Sequence, residues 1–304
     1  MRVLITGWFS FEGMGNTAGD MIARDNVCSW LREADIAYDV AVADAFPYPG
    51  GVNWQTVEPS QYTDLLFVCG PFGNGWPVTD LLARFASCRL IGLNLTLLQS
   101  LEEWNPFTLL FERDSSAATN PDISIYAPPP KVPVVGVILI TKQDEYGKRD
   151  QHEKAHEAIK RLTECREMSV VHIDTALENN KGGLRSPGEI EAVIARMDVV
   201  VTTRLHGTAL ALKNGVPVIP IDSVTGGAKL TRQVETLGWP LLFQIENLNN
   251  EDLLNAFDYC LSGAARTKAK ECARKAIIKI EEIRMKLVAS LIDLKKPEAY
   301  FVNP

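Results

Sequence analysis

The chain predicts an α/β protein of two Rossmann-like domains facing each other across a cleft, with a long C-terminal helix. Three observations carry that prediction. Short β-branched and apolar runs alternate with helical patterns along most of the 304 residues, the spacing of parallel sheets covered by helices on both faces. The strand runs are nearly all apolar instead of alternating, as in central strands buried on both sides. The segment Ala127-Pro128-Pro129-Pro130-Lys131 can continue neither a helix nor a central strand, so it divides the chain into domains 1–130 and 131–304.

In the first domain the expected strands are Arg2–Thr6, Tyr38–Val42, Asp64–Cys69, Arg89–Leu93 and Ile123–Tyr126, with helices Ala18–Ala34 and Val78–Ser87 between them. In the second the strands are Val134–Ile140, Ser169–Ile173, Asp198–Thr202, Val216–Ile221 and Leu241–Gln244. Its helices are Gln151–Cys165, Ser186–Arg196, Gly207–Asn214, Ala228–Leu237 and Glu251–Ser262. Arg266 to Lys296 reads as one further helix, because Ile277, Ile280, Ile283, Leu287, Leu291 and Leu294 recur at three- and four-residue steps. It carries ten Lys and Arg against four Asp and Glu. Docking on the acidic body of its own protein is the expectation, and contact with a membrane surface is the alternative.

The bulk numbers narrow the partners. A net charge of -7 argues against general nucleic-acid binding, which needs a broad basic footprint, and leaves room for a local anion pocket. Cys28, Cys69, Cys88, Cys165, Cys260 and Cys272 are scattered without a Cys-x-x-Cys pair, which reads as reduced structural thiols in a reducing, cytoplasmic setting. The opening Val3-Leu4-Ile5 strand is too short for a signal peptide, and Val132 to Ile140 falls far short of a membrane span.

The most informative stretch is Asp198 to Pro220. A buried strand ends at Thr202-Thr203, a short helix of small and apolar residues begins near His206-Gly207 and stops at Asn214-Gly215, and a second buried strand follows. Arg204 and His206 therefore stand at the carboxyl end of a central strand and at a helix N-terminus. Free backbone N–H groups, the helix dipole and a guanidinium fork all favour an anion there. The alternative is an internal ion pair for Arg204 and a structural His206.

With its following Gly215-Val216-Pro217-Val218-Ile219 strand, this stretch resembles the Arg-Leu-His segment of the polysaccharide pyruvyl transferase family. Other pieces fall in family order over about residues 1–245. Gly15-Asn16-Thr17-Ala18-Gly19-Asp20 resembles the early Asn-x-Gly-Asp loop, with two residues instead of one between Asn16 and Gly19. Gly70-Pro71-Phe72-Gly73 stands where the family has a glycine-rich turn. Phe111 to Ser116 resembles its Arg-Asp…Ser segment, Asn120-Pro121-Asp122 its Pro-Asp, and Gly226-Gly227-Ala228-Lys229 its late lysine.

The resemblance implies a fold like the two-domain GT-B glycosyltransferases and a place in polysaccharide biosynthesis. It implies phosphoenolpyruvate as donor substrate, no cofactor or metal, and a glycan or lipid-linked sugar as acceptor. The pyruvyl group moves onto two sugar hydroxyls as a ketal and phosphate leaves. Arg204 would bind the donor and stabilise charge in the transition state, with Leu205 beside it. His206 would carry the proton, as histidines do near neutral pH. Lys229 and Arg113 would add contacts to the donor. Asn16 and Asp20 would meet the acceptor, Asp20 as hydrogen-bond acceptor or base. The residues alone leave alternatives: helix capping for Asn16 and Asp20, an Arg113–Asp114 ion pair, and a solvated surface lysine for Lys229. On the same fold, a nucleotide-sugar glycosyltransferase or a non-catalytic binding protein remain alternative functions.

His152-Glu153-Lys154-Ala155-His156 matches the H-E-x-x-H zinc pattern. Its charged flanks, and the lack of a third histidine at ligand spacing, make an exposed helix with incidental histidines the expectation.

Overall fold

A computed structural model of the chain describes residues 1–128, 130–140, 144–227 and 229–293. Pro129 of the linker, the expected helix start at Ala228, and Leu294 to Lys296 of the final helix lie outside the described residues. Two compact units form, Met1–Lys131 and Val132–Pro304.

The N-terminal unit is a parallel sheet of β1 (Arg2–Thr6), β2 (Ala37–Val40), β3 (Asp64–Phe72), β4 (Arg89–Leu97) and β5 (Leu109–Phe111), in the order β2-β1-β3-β4-β5. Helices α1 (Ala18–Glu33) and α2 (Val78–Arg84) pack on it. Several elements differ from expectation. Ile123–Ile125 is a single 3-10 turn and no strand, because Asp122 caps it through the Ser124 N–H and Asn94 Oδ1 takes the Ile123 N–H, so no backbone is left for a ladder. The sheet edge is supplied instead by β5, a three-residue strand too short to announce itself by pattern. Expected to end at Cys69, β3 runs on through Phe72, so Gly70-Pro71-Phe72 is strand where a glycine-rich turn was expected. Cys69 and Asn94 stand beside each other in β3 and β4 with left-handed φ values of 68° and 59°, and Asn94 Nδ2 donates to Cys69 Sγ at 2.9 Å.

The C-terminal unit repeats the plan with β6 (Val134–Ile138), β7 (Ser169–His172), β8 (Val199–Thr202), β9 (Val218–Asp222) and β10 (Phe243–Gln244), all parallel in the order β10-β9-β8-β6-β7. Its helices are α3 (His152–Cys165), α4 (Pro187–Ile194), α5 (Leu205–Lys213), α6 (Lys229–Leu237), α7 (Asn250–Cys260) and α8 (Gly263–Asp293). From β6 the chain steps to β7 on one side and then returns to β8 on the other. The crevice between the carboxyl ends of β6 and β8 is therefore the topological switch point of this sheet. Strands β8 and β9 are buried at every residue, which explains their continuous apolar sequence.

Helix α8 corrects the docking expectation over most of its length. Ala265, Ala269 and Cys272 are buried against the unit, and Arg266 pairs with Asp198 at 3.3 Å. From Ile277 onward every described side chain is exposed. Among the described residues no helix is long and apolar enough to cross a membrane, and all six cysteines are free.

Close approach of α5 to the sheet rests on Gly207. A Cβ there would lie 3.1 Å from Thr202 Cβ and 3.2 Å from Ile138 Cγ2, and closer still to Thr202 Oγ1. Alanine is the better helix former by about 1 kcal/mol, yet the clash falls on packed strand atoms that cannot swing aside. Gly207→Ala is expected to destabilise the protein by about 1–3 kcal/mol, measured by urea unfolding; an unchanged or raised midpoint would show that α5 has room to move.

Candidate functional site

The switch-point crevice of the C-terminal unit is built by its backbone first. At the end of β8, the Thr202 hydroxyl donates to Ile138 O at 2.8 Å and accepts the Arg204 N–H at 3.0 Å, while Thr203 Oγ1 accepts the Ile140 N–H at 2.9 Å. These bonds tie the exit of β8 to the exit of β6. Arg204 is the N-cap of α5, in extended backbone, without a side-chain cap. The first intrahelical bond runs from the Thr208 N–H to Arg204 O at 3.1 Å, so the Leu205, His206 and Gly207 N–H groups make up the positive end of the helix.

Beyond these strand ends lies a cavity of about 230 Å³ lined by Ile140, Thr203, Arg204, Leu205, His206, Asp222, Ser223, Val224, Lys229 and Leu230. The structure thus brings together four of the residues singled out from sequence: Arg204, Leu205, His206 and Lys229. His206 is exposed on the first turn of α5, and Lys229 is exposed at the start of α6. The ammonium of Lys229 lies 6.0 Å from the Tyr146 ring, which the Arg149 guanidinium approaches to 5.5 Å. The segment carrying Tyr146 is held at the rim by the Gln151 N–H to Ser223 O and the Thr225 N–H to Arg149 O.

Asp222 adds a residue that the sequence pattern does not single out. It is buried at the end of β9; Oδ2 accepts the Thr231 N–H at 3.1 Å and its hydroxyl at 2.7 Å, and Oδ1 accepts the Val224 N–H. The cavity therefore holds a guanidinium, an ammonium, a histidine and two helix N-termini against one carboxylate engaged in capping. Its position at the strand end beside β8 was the signal available in the sequence.

Arg204 also meets its own chain. Nε donates to Leu139 O at 2.8 Å, Nη1 to Thr175 Oγ1 at 3.3 Å, and Nη2 lies 3.8 Å from Asp174 Oδ1. The internal pairing set against the ligand role is thus present as a long contact to a half-buried carboxylate. The same guanidinium lines a second cavity of about 350 Å³ with Val137, Leu139, His172, Asp174 and Lys181.

In the N-terminal unit Asp20 and Arg113 are engaged in local structure, whereas Asn16 is not. Thr17 and Asp20 form a capping box on α1: Asp20 Oδ2 accepts the Thr17 N–H at 2.9 Å and hydroxyl at 2.8 Å, and the Asp20 N–H returns to Thr17 Oγ1. Asn16, just before the box, has both amide atoms buried without a hydrogen-bond partner; a buried amide left unmet costs about 1–3 kcal/mol per group. Arg113 is engaged on all three nitrogens, to Asp122 at 2.7 Å, Asp114 at 3.3 Å and Thr96 Oγ1 at 2.6 Å. Burial works to raise the Asp122 carboxyl, but bonds from the Ser124 N–H, Arg113 and Asn94 outweigh it and hold the group at about 2.

Sequence reasoning also missed a cavity of about 190 Å³ in this unit, lined among others by Glu12, Asn53, Trp54, Gln55, Trp76 and Asp80. Trp54 is buried in its wall and Trp76 is 71% exposed. No Lys or Arg lines it.

The H-E-x-x-H segment is not an exposed helix face. His152 is buried at the start of α3, with Nδ1 on Asp150, and His156 Nε2 contacts Ile140 O at 3.0 Å. Among the described residues no cluster of His, Cys, Asp and Glu could hold a metal ion.

A carboxyl held at about 2 adds stability that is present above the ordinary carboxylate value and lost as pH falls toward the folded one. Asp122→Asn is expected to lower the thermal midpoint at neutral pH, with the difference from wild type shrinking as the pH is taken from about 4 to about 2. A constant difference across that range would remove Asp122 from the account of acid stability.

Residues 115–223 match the polysaccharide pyruvyl transferase family, about a third of the chain and including Arg204, Leu205, His206, Asp222 and Ser223. No curated protein sequence matches. Among solved structures, the calicheamicin glycosyltransferase CalG4 is 12% identical, covering 97% of this chain and 99% of that one at a TM-score of 0.37. The spinosyn rhamnosyltransferase SpnG with spinosyn aglycone is 12% identical over 93% and 100%, at 0.34. The UDP-GlcNAc 2-epimerase of Methanocaldococcus jannaschii with UDP-GlcNAc and UDP is 11% identical over 92% and 100%, at 0.32. Likeness at this level carries no inference about substrate.

Proposed function

We propose that the protein transfers a pyruvyl group from phosphoenolpyruvate to two hydroxyls of a sugar, forming a ketal and releasing phosphate. The observation that carries this reading is the convergence of Arg204, His206, Lys229 and the α5 N-terminus on one cavity at the switch point, inside or beside the segment that matches the family. A donor bearing both a phosphate and a carboxylate needs two separated cationic contacts, and Arg204 and Lys229 come from different elements on the cavity wall. His206 gives a proton to the methylene carbon as the first sugar hydroxyl bonds to the adjacent carbon, and that hydroxyl's proton restores the imidazole. The second hydroxyl then displaces phosphate at the same carbon and closes the ketal, and its proton leaves on the phosphate as hydrogen phosphate. Arg204 and the helix N–H groups stabilise the negative charge of the departing phosphate.

For the sugar we propose the cavity of Trp54 and Trp76. An indole face packs against the C–H face of a sugar ring, and Glu12, Asn53, Gln55 and Asp80 offer acceptors and amides for hydroxyls, with no lining cation to favour a charged ligand. Asp20 keeps Oδ1 outside the capping box and offers a further acceptor-side contact. Arg113 contributes by fixing the Asp114–Asp122 loop, since its donors are engaged there.

Phosphoenolpyruvate is expected to raise the melting temperature of the full chain, and a nucleoside diphosphate sugar is not. Arg204→Lys, which keeps the charge and loses the fork, should abolish most of that rise. His206→Ala should keep the rise and lower phosphate release with an acceptor panel by about 10²–10⁴-fold. A rise with the nucleotide sugar alone, or activity unchanged in both variants, would refute the reading. On the acceptor side, Trp76→Ala is expected to raise the acceptor KM about tenfold or more with the phosphoenolpyruvate-induced shift intact, reflecting about 1.4 kcal/mol of lost stacking; an unchanged KM would exclude this cavity.

A further inference from the structure

The exposed half of α8 has no role in the proposed reaction. Ile277, Ile278, Ile280, Ile283, Met285, Leu287, Val288, Leu291 and Ile292 are each between 44% and 62% exposed. A helix of period 3.6 spreads them over an arc of roughly 220°, with Lys275, Lys279, Glu282 and Lys286 on the remaining face.

The pattern within that arc identifies the occupant. Ala273, Ile277, Ile280, Arg284, Leu287 and Leu291 follow alternating steps of four and three residues, the a/d seam of a coiled coil. One polar residue, Arg284, sits on the seam, the device that fixes register and orientation. In a parallel pair each Arg284 would face its own copy, stacking like charges. In an antiparallel pair with its two-fold axis at Glu282, the seam closes in complementary layers. Ala273 meets the partner's Leu291, Ile277 meets the partner's Leu287, and Ile280 meets the partner's Arg284, each layer occurring twice. Arg284, already paired with Glu281 in its own helix, then also lies beside the partner's Glu281. The layers run from Ala273, half-buried at the edge of the docked part of α8, out to Leu291.

A lipid surface fits this helix less well. Glu281 and Arg284 lie inside the apolar arc, and residues 274–293 carry five Lys and Arg against three Asp and Glu, a weak cationic bias for anionic headgroups.

We infer that α8 joins two copies of this chain as an antiparallel coiled coil centred on Glu282. The interface is isologous, the same patch on both copies, and none of its seam residues lines the Arg204 cavities or the Trp54 cavity.

The test is sedimentation and light scattering of the full chain at micromolar concentration, with cross-linking and vesicle flotation. The expected mass is twice 33.6 kDa. Ile280→Glu should give the monomer with the fold retained by circular dichroism, since this side chain is 61% exposed and only the dimer's contribution to stability is lost. Arg284→Glu should weaken dimerisation at least tenfold, and adding Glu281→Arg to it should restore it. In a Cys165→Ser background, chains carrying Ile277→Cys mixed with chains carrying Leu287→Cys should cross-link, and neither should link to itself. A monomeric wild type overturns the inference, whether or not it floats with vesicles of phosphatidylglycerol; flotation would make lipid the occupant. Self-linking of each single variant overturns the antiparallel arrangement.

Discussion

One hydroxyl group organises the C-terminal unit. Thr202 ends a strand buried on both faces, and its side chain bridges the last carbonyl of β6 and the first amide of the turn into α5. A buried strand end has no water to satisfy its polar groups, so the hydroxyl does double service. By joining the exits of two adjacent strands it sets where Arg204 leaves the sheet and where α5 begins. Gly207 completes the constraint, because only the absence of a Cβ lets the helix start so close to the strand that precedes it.

The two units use the same strand-and-helix plan for different chemistry. In the C-terminal unit the crevice gathers cations and helix N-termini, with the buried Asp222 bound up in capping α6. In the N-terminal unit Arg113 is paired internally with Asp122 and Arg2 with Asp39, and the cavity there shows indoles, amides and carboxylates instead. The proposed reaction, with a donor rich in negative charge and an acceptor rich in hydroxyls, would use such a division.

Much of this is legible in the sequence. The apolar runs of β1, β3, β8 and β9 are legible because burial on both faces leaves few polar positions to blur them. Arg204 and His206 stand out because a guanidinium placed directly after such a strand is costly unless an anion meets it. Thr17-x-x-Asp20 announces a capping box as plainly as it announces an acceptor loop, and the structure shows the box. What stays hidden is decided by contacts distant in sequence. Asp222 joins Lys229 and His206 only once β9 lies beside β8. Trp54 and Trp76 share a cavity although a strand separates them. Ile123–Tyr126 has strand composition, yet Asn94 and Asp122 take its amides. The apolar period of α8 is readable, but periodicity reports that a face is to be covered and does not report by what.

Arg204 lines both cavities of the C-terminal unit, held between them by Leu139 O, Thr175 and Asp174. Two ligands bound there would share a single guanidinium, so their affinities are linked: whatever factor one imposes on the other's dissociation constant is imposed in return.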